Sequence, residues 1–287
     1  MRVKELFAFI KERHAIYERR LAGKPKPWTK DPILQQYRFC NVYRELDTVT
    51  VWIRENWREP WDWDPNLWFT MAVARLVNWP ESLDDLSYAV LNSRQITWQP
   101  AEFIKVMDRR KKAGKQTWSG AYMIHSGVAE SKAQYIADEV LTPLWKDRGG
   151  ITNELLELNK NKSLLHLYRW LMEHKDFGSF MAAQVVADVK FQTCWKEAKD
   201  WWTFAAPGPG SLRGMSRVEF GDLGTKYADL AWNESLQELQ RQIDPLVKKA
   251  GMLRISAQDL QNCLCEWDKY ERTRLGEGKP RSKYPGV

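Results

Sequence analysis

Cysteine and histidine are scarce in this sequence, with four of each among 287 residues. The histidines (His14, His125, His166, His174) are scattered. Cys263 and Cys265 stand one residue apart, too close for an ordinary disulfide and unlike the two-residue gap of a zinc knuckle. No metal site is expected, and Cys40, Cys194, Cys263 and Cys265 read as reduced thiols. Phosphate-binding and metalloprotease signatures are missing as well. There is no GxxxxGKS/T, no GxGxxG opening a helix and no HExxH, which argues against a P-loop kinase, a dinucleotide enzyme and a zincin; no cofactor is expected. No apolar run approaches a membrane span, and the opening "MRVKELFAFIKERH" reads as a charged amphipathic helix rather than a signal peptide. Sustained strand alternation and solenoid repeats are also lacking.

Cations and tryptophans are abundant. Forty-four Lys and Arg oppose 37 Asp and Glu, a net charge of +7. That excess suits an anionic partner such as nucleic acid, but charge alone does not separate this from a solvated surface dotted with lysines. Most of the 16 tryptophans are expected in the core, with a minority free to stack on bases.

Helical periodicity dominates the chain. Over 3–21 it places Val3, Leu6, Phe7, Ile10, His14 and Tyr17 on one face, and "GKPKPWTKDP" (23–32) breaks it. A helix is expected over 33–56 with Phe39, Val42, Tyr43, Leu46, Val49 and Ile53 inward. Further helices are expected over 65–79, 81–91, 100–112, 129–146, 151–158, 163–174, 179–191, 226–250 and 256–272, and an apolar segment over 117–127. The fold class is all-α. Three regions are expected: an N-terminal helix and Pro-rich linker (1–32), a helical domain (33–272) and a basic tail (273–287).

Four stretches carry candidate chemistry. On a helix over 38–47, Asn41, Arg44 and Asp47 or Thr48 would share one face: a solvated row with an Arg–Asp pair, or the lining of a cleft with Arg44 aimed at a phosphate. In "LYRWLMEHKDFGSFMAAQVVADV" (167–189) two helices flank a turn at 176–179, where Gly178 would permit the turn and Ala182 and Ala183 a close approach. This is either an αα-hairpin or, by resemblance to the base-excision glycosylases, a helix-hairpin-helix whose Gly178 and Ser179 amides hold DNA phosphate. The same resemblance nominates Asp200, 22 residues after Gly178, as the essential carboxylate, with Asp188 as its alternative. The loop "PGPGS" follows, where the amides of Gly208, Gly210 and Ser211, with Arg213, would cradle an anion. Finally Lys269, Arg272, Arg274, Lys279, Arg281 and Lys283, interleaved with Tyr270 and Tyr284, make a basic strip suited to a nucleic-acid backbone.

Taken together, "FCNVYRELD", "WSGAYMI", "FGSFMAAQVVADVKF", "PGPGSLRGM" and "LCEWDKYERTRLGEGKPR" resemble the phage helical proteins of thymine hypermodification. These are the alpha-glutamyl/putrescinyl thymine pyrophosphorylases, or amino acid:DNA transferases. They are related to the helical domain joined to some 5-hydroxymethyluracil DNA kinases and to the helix-hairpin-helix glycosylases. The resemblance spans roughly 33–284. It implies a helix-hairpin-helix, glycosylase-like fold acting on double-stranded DNA in the cytoplasm of an infected host cell. It also implies displacement of pyrophosphate from 5-(pyrophosphoryloxymethyl)uracil by an amino acid or polyamine, on a base turned out of the duplex. Under that reading Asp200 or Asp188 is the base. Asn41 joins Arg44 among the catalytic residues, Tyr122, Trp201 and Trp202 stack on the flipped base, and Gln184 and Asp47 lie beside the substrate. Arg44, Arg213 and the 208–211 amides hold the leaving group, and Lys269, Arg272 and Arg281 hold DNA. With no P-loop in the sequence, a transferase is favoured over a kinase; a glycosylase and a non-catalytic DNA-binding helper of a kinase stay open.

Overall fold

The computed structural model describes residues 1–92, 94–120, 131–151, 162–223, 229–280 and 282–284. They are predominantly helical, with one two-stranded antiparallel sheet pairing Leu91–Asn92 with Gln95–Ile96. The chain forms two compact units: Met1–Asp47 with Trp202–Val287, and Thr48–Trp201. The division is not sequential. The opening helix Val3–Leu21 packs on Asp229–Lys249 and on the C-terminal helix Ala257–Arg274, far along the chain. Apolar burial is the cause: Leu6, Phe9, Ile10 and Ile16 share one core with Trp232, Leu236, Leu260, Leu264 and Trp267. The inward stripe of the opening helix is therefore Val3, Leu6, Phe9, Ile10, Arg13 and Ile16, while Phe7, His14 and Tyr17 lie half-buried at its flank.

Two expectations about local structure are corrected. Residues 33–56 are not one helix. A short helix Pro32–Gln36 is followed by extended chain, a 3-10 turn Arg44–Leu46, and then Thr48–Ile53 running into a π-helical stretch Arg54–Arg58. Side chains from elsewhere take over the backbone bonds that a helix would have made. Phe39 O accepts from Arg13 Nε (3.2 Å) and Nη2 (2.9 Å), and Cys40 N donates to Glu266 Oε2 (2.8 Å). Phe39, Val42, Tyr43 and Ile53 are nonetheless buried, as the pattern implied. The Gly/Pro stretch 207–214 is likewise no open loop, because a helix Pro209–Glu219 starts inside it. Pro209 occupies the first helical position, where its missing N–H costs nothing.

In the second unit, Ser179–Val189 packs against Leu67–Val77 and against Leu164–Met172. Leu67–Val77 ends at Asn78, whose left-handed φ of 47° closes it before Pro80. Pro100–Lys112 forms over the expected residues, with Pro at its start and Arg109, Arg110, Lys111 and Lys112 in its last turn. Trp57, Trp68, Trp195, Trp232 and Trp267 are buried, and the other eleven tryptophans are at least partly open. The expectation that most are core is thus corrected: an indole is large, and its N–H seeks a polar partner at the core's edge.

Candidate functional site

Asn41, Arg44 and Asp47 do come together, though on irregular chain rather than a helix face. Asn41 N donates to Asp47 Oδ1 (3.0 Å), and Asn41 Nδ2 to Leu46 O (2.8 Å). Asn41 Oδ1 accepts from Arg13 Nη2 (2.7 Å), and its carbonyl accepts from Asn262 Nδ2 (3.3 Å). Arg44 is half-buried, its N–H held by Asp259 Oδ1 at 3.1 Å. Asp47 is pushed above the usual carboxylate range by burial, against the opposing pull of the Asn41 N–H, Arg44 and Arg13. Lys269 reaches Glu266 (2.5 Å) and lies 4.7 Å over the Phe39 ring, so it belongs to this polar cluster.

The opposite side of the C-terminal helix carries a second cluster. Asp268, 1% exposed, accepts from Arg213 Nε (2.9 Å) and Arg217 Nε (3.0 Å), and Arg272 Nε lies 3.4 Å away. Arg217 also pairs with Glu277 and is buried, while the side chains of Arg213 and Arg272 stay 42% and 38% exposed. One buried carboxylate therefore orients two exposed guanidiniums.

The glycines nearby serve packing. A Cβ on Gly214 would lie 2.1 Å from Leu264 O, and one on Gly210 would lie 2.9 Å from Cys265 Sγ. Only glycine lets Pro209–Glu219 approach the C-terminal helix this closely. Ser211 is buried; its Oγ accepts from Gly208 N (2.9 Å) and from Gln261 Nε2 (3.2 Å).

Asp200 and Asp188 lie in the second unit. Asp200 caps the first hairpin helix, Oδ1 accepting from Leu164 N (2.8 Å) and Oδ2 from Ser163 Oγ (2.7 Å) and Leu165 N (3.0 Å). Asp188 is fully buried and bonded to Arg75 Nε (2.5 Å) and Nη2 (2.6 Å). Gln184 is half-buried on the same helix. Gly178 caps that helix with an ordinary φ of −62°; the left-handed turn residue is Asp176 (φ 61°), which corrects the role given to Gly178. Gly178 and Ser179 are exposed at the tip. Trp201 donates to Lys190 O (2.7 Å), and Lys190 Nζ sits 3.9 Å over its ring. Trp202, in the other unit, is exposed beneath Arg254 at 4.5 Å. Tyr122 and Arg281 lie outside the described residues.

Arg13, Glu266, Arg217 and Asp268 were not foreseen. Arg13 had a signal, since it interrupts the apolar stripe between Ile10 and Ile16. Burial raises the thiols of Cys194, Cys263 and Cys265 above their ordinary value, Cys265 to about 11, so these three are not activated towards thiolate. Among the described residues no His, Cys, Asp and Glu group could hold a metal ion, and no helix is long and apolar enough to cross a membrane.

A helical scaffold with a basic, carboxylate-anchored surface defines a class of chain rather than an activity. The chain belongs to the family described as the helical domain of 5-hmdU DNA kinase, whose model matches residues 1–280. It is similar to a 5-hmdU DNA kinase of Bacillus phage SP10, with 24% identity over 302 aligned residues covering 92% of this chain. The chain spans 44% of that relative's length. No solved structure matches.

Proposed function

We propose that the chain is a DNA-modifying transferase of phage thymine hypermodification, acting in the infected host cell. It replaces the pyrophosphate of 5-(pyrophosphoryloxymethyl)uracil with an amine from an amino acid or polyamine. The observation that carries this is Asp47: a carboxylate whose proton affinity is raised by burial, bonded to Asn41 and beside Arg44. A carboxylate of raised pKa is a better proton acceptor, which a protonating amine nucleophile requires. In the reaction the methylene C–O bond breaks, a C–N bond forms, the ammonium proton passes to Asp47, and pyrophosphate leaves. Arg44 supplies positive charge for the diphosphate, while the exposed Arg213 and Arg272, on the opposite side of the C-terminal helix, are read as contacts to the DNA backbone. The hairpin Leu164–Met172 and Ser179–Val189 is read as the helix-hairpin-helix DNA anchor, with Asp200 fixing its first helix. Family membership supports the pathway, the family being that of hydroxymethyluracil-kinase helical domains.

A second reading is a non-catalytic DNA-binding partner of a kinase. It is favoured by the commitment of both Asp188 and Asp200 to framework bonds. The test is a nucleoside digest with mass spectrometry after incubating pyrophosphoryloxymethyluracil DNA with the protein and a panel of amines. The expected result is an amine-dependent mass gain with pyrophosphate release, lost in Asp47→Asn. Loss in Asp200→Asn alone would move the base to Asp200. Unmodified DNA with tight binding would establish the partner reading, and abasic DNA a glycosylase.

A further inference from the structure

Two stretches that the proposed reaction leaves unused meet in the first unit: the Pro-rich linker and the C-terminal tail. Residues 282–284 run antiparallel to residues 36–38. Arg38 N donates to Ser282 O (3.0 Å), Tyr284 N donates to Gln36 O (3.1 Å), and Tyr37 pairs with Lys283. This pairing brings the Tyr284 ring to 6.1 Å from Trp28, the planes inclined at 73°. Both residues line a cavity of about 310 Å³, together with Ile16, Lys26, Pro27 and Leu34, among others.

Cations surround the two rings. Arg20 lies 5.2 Å and Lys26 5.3 Å from the Trp28 centroid, and Arg38 5.7 Å from that of Tyr284. Residues 19–38 hold six Lys and Arg against the single acid Asp31. That acid is turned to other work, capping Pro32–Gln36 and accepting from Tyr270 Oη at 2.7 Å. The mouth is therefore basic and the lining aromatic and apolar, and Lys26, Arg38 and Lys283 are exposed around it.

From this we infer that the Trp28–Tyr284 cavity is a binding site for one unpaired nucleotide of a nucleic-acid strand. A duplex presents only phosphate to such a surface, and phosphate gains nothing from an aromatic lining. An unpaired nucleotide offers both a π face for Trp28 and Tyr284 and a phosphate for Arg20, Lys26 and Arg38. The volume lies at the low end for ligand pockets, about 300–1,000 Å³, as one planar base requires. The inference is independent of the transferase reading, because it needs only a nucleic-acid partner and uses none of the residues assigned to that reaction.

The test is fluorescence anisotropy of the full chain with a fluorescein-labelled oligothymidine and with a blunt duplex. Trp28→Ala and Tyr284→Ala are each expected to weaken single-strand binding about tenfold, with little change for the duplex. Trp28→Phe, which keeps a ring, is expected to retain most of the affinity. Thermal melting by circular dichroism accompanies each variant; if Trp28→Ala loses its fold, the tail variant Tyr284→Ala carries the test. Unchanged single-strand binding in Tyr284→Ala, or an equal loss for strand and duplex, overturns the inference. So does binding of free thymidine monophosphate at the cavity while oligothymidine affinity ignores both substitutions.

Discussion

Asp188 accepts from Arg75 at 2.5 Å (Nε) and 2.6 Å (Nη2), both residues being almost wholly removed from water. Arg75 also donates to Thr50 Oγ1 (2.9 Å) and Asn78 Oδ1 (3.2 Å), so three separate stretches of the second unit meet on one guanidinium. Removing one partner strands the other charge in the core. Arg75→Ala is expected to lower the unfolding free energy by about 3–5 kcal/mol. Urea denaturation checks this, and a loss below about 1 kcal/mol would mean that water reaches the pair.

Gly214 sets the distance between Pro209–Glu219 and the C-terminal helix. In Gly214→Ala the new methyl would meet the Leu264 carbonyl at 2.1 Å, a backbone atom that cannot swing aside. Destabilisation of at least about 1–3 kcal/mol is expected. Gly210→Ala meets the Cys265 side chain at 2.9 Å, which can rotate, and should cost less. Melting temperatures of the two variants, compared side by side, test the order.

Helices whose signals are local were legible in the sequence. Pro100–Lys112 has proline at its start, an apolar face through Phe103 and Met107, and a basic last turn, and it forms over the expected residues. Residues 37–47 were not, because Arg13 and Glu266 from distant stretches hold that backbone. No window-based pattern contains them. The grouping of Asn41 with Asp47 survived the change of conformation, since the two bond directly. "PGPGS" misled for another reason: glycine and proline are usually breakers, but here Pro209 starts a helix and Gly210 admits the side chain of Cys265. The Arg213–Asp268 pair joins residues 55 apart in sequence, a separation at which charge alone names no partner.

Asp47 predicts an unusual pH response. Its folded-state pKa is raised by burial, so in the window between the unfolded and folded values the native state holds the extra proton. Stability contributed by this group therefore falls as pH rises through that window, opposite to an ordinary salt-bridged aspartate. Asp47→Asn should melt no lower than the parent at neutral pH, and the parent should gain on the variant as pH drops towards the ordinary carboxylate range. A variant that is markedly less stable at pH 7 and recovers in acid would reverse the sign and contradict the assignment.

Asp200 holds the start of Leu164–Met172 through three accepted bonds. Asp200→Ala should cost about 1 kcal/mol, the usual worth of an N-terminal cap, within about 0.5–2. Asp200→Asn keeps one acceptor oxygen and should lose less. Hydrogen exchange at the Leu164 and Leu165 amides gives a local readout. Faster exchange there in Asp200→Ala, without a matching change across the rest of the unit, is the expected pattern, and unaltered protection would show that the cap contributes nothing.

Arg213 and Asp268 touch, yet their substitutions should separate stability from DNA binding. Asp268 is buried among Arg213, Arg217 and Arg272, so Asp268→Asn leaves clustered guanidiniums without their counter-charge and should destabilise by about 3–5 kcal/mol. Arg213 is 42% exposed, and its loss leaves Asp268 still bonded to the buried Arg217. Arg213→Ala should therefore change stability by no more than about 1 kcal/mol. If its guanidinium meets a phosphate, the slope of log binding constant against log salt should fall by about 1 for duplex DNA, uniformly across sequences. Titrations of parent and variant over a range of salt concentrations give that slope directly. An unchanged slope with weaker binding would assign Arg213 to the framework around Asp268 and leave Arg272 as the exposed cation of this cluster.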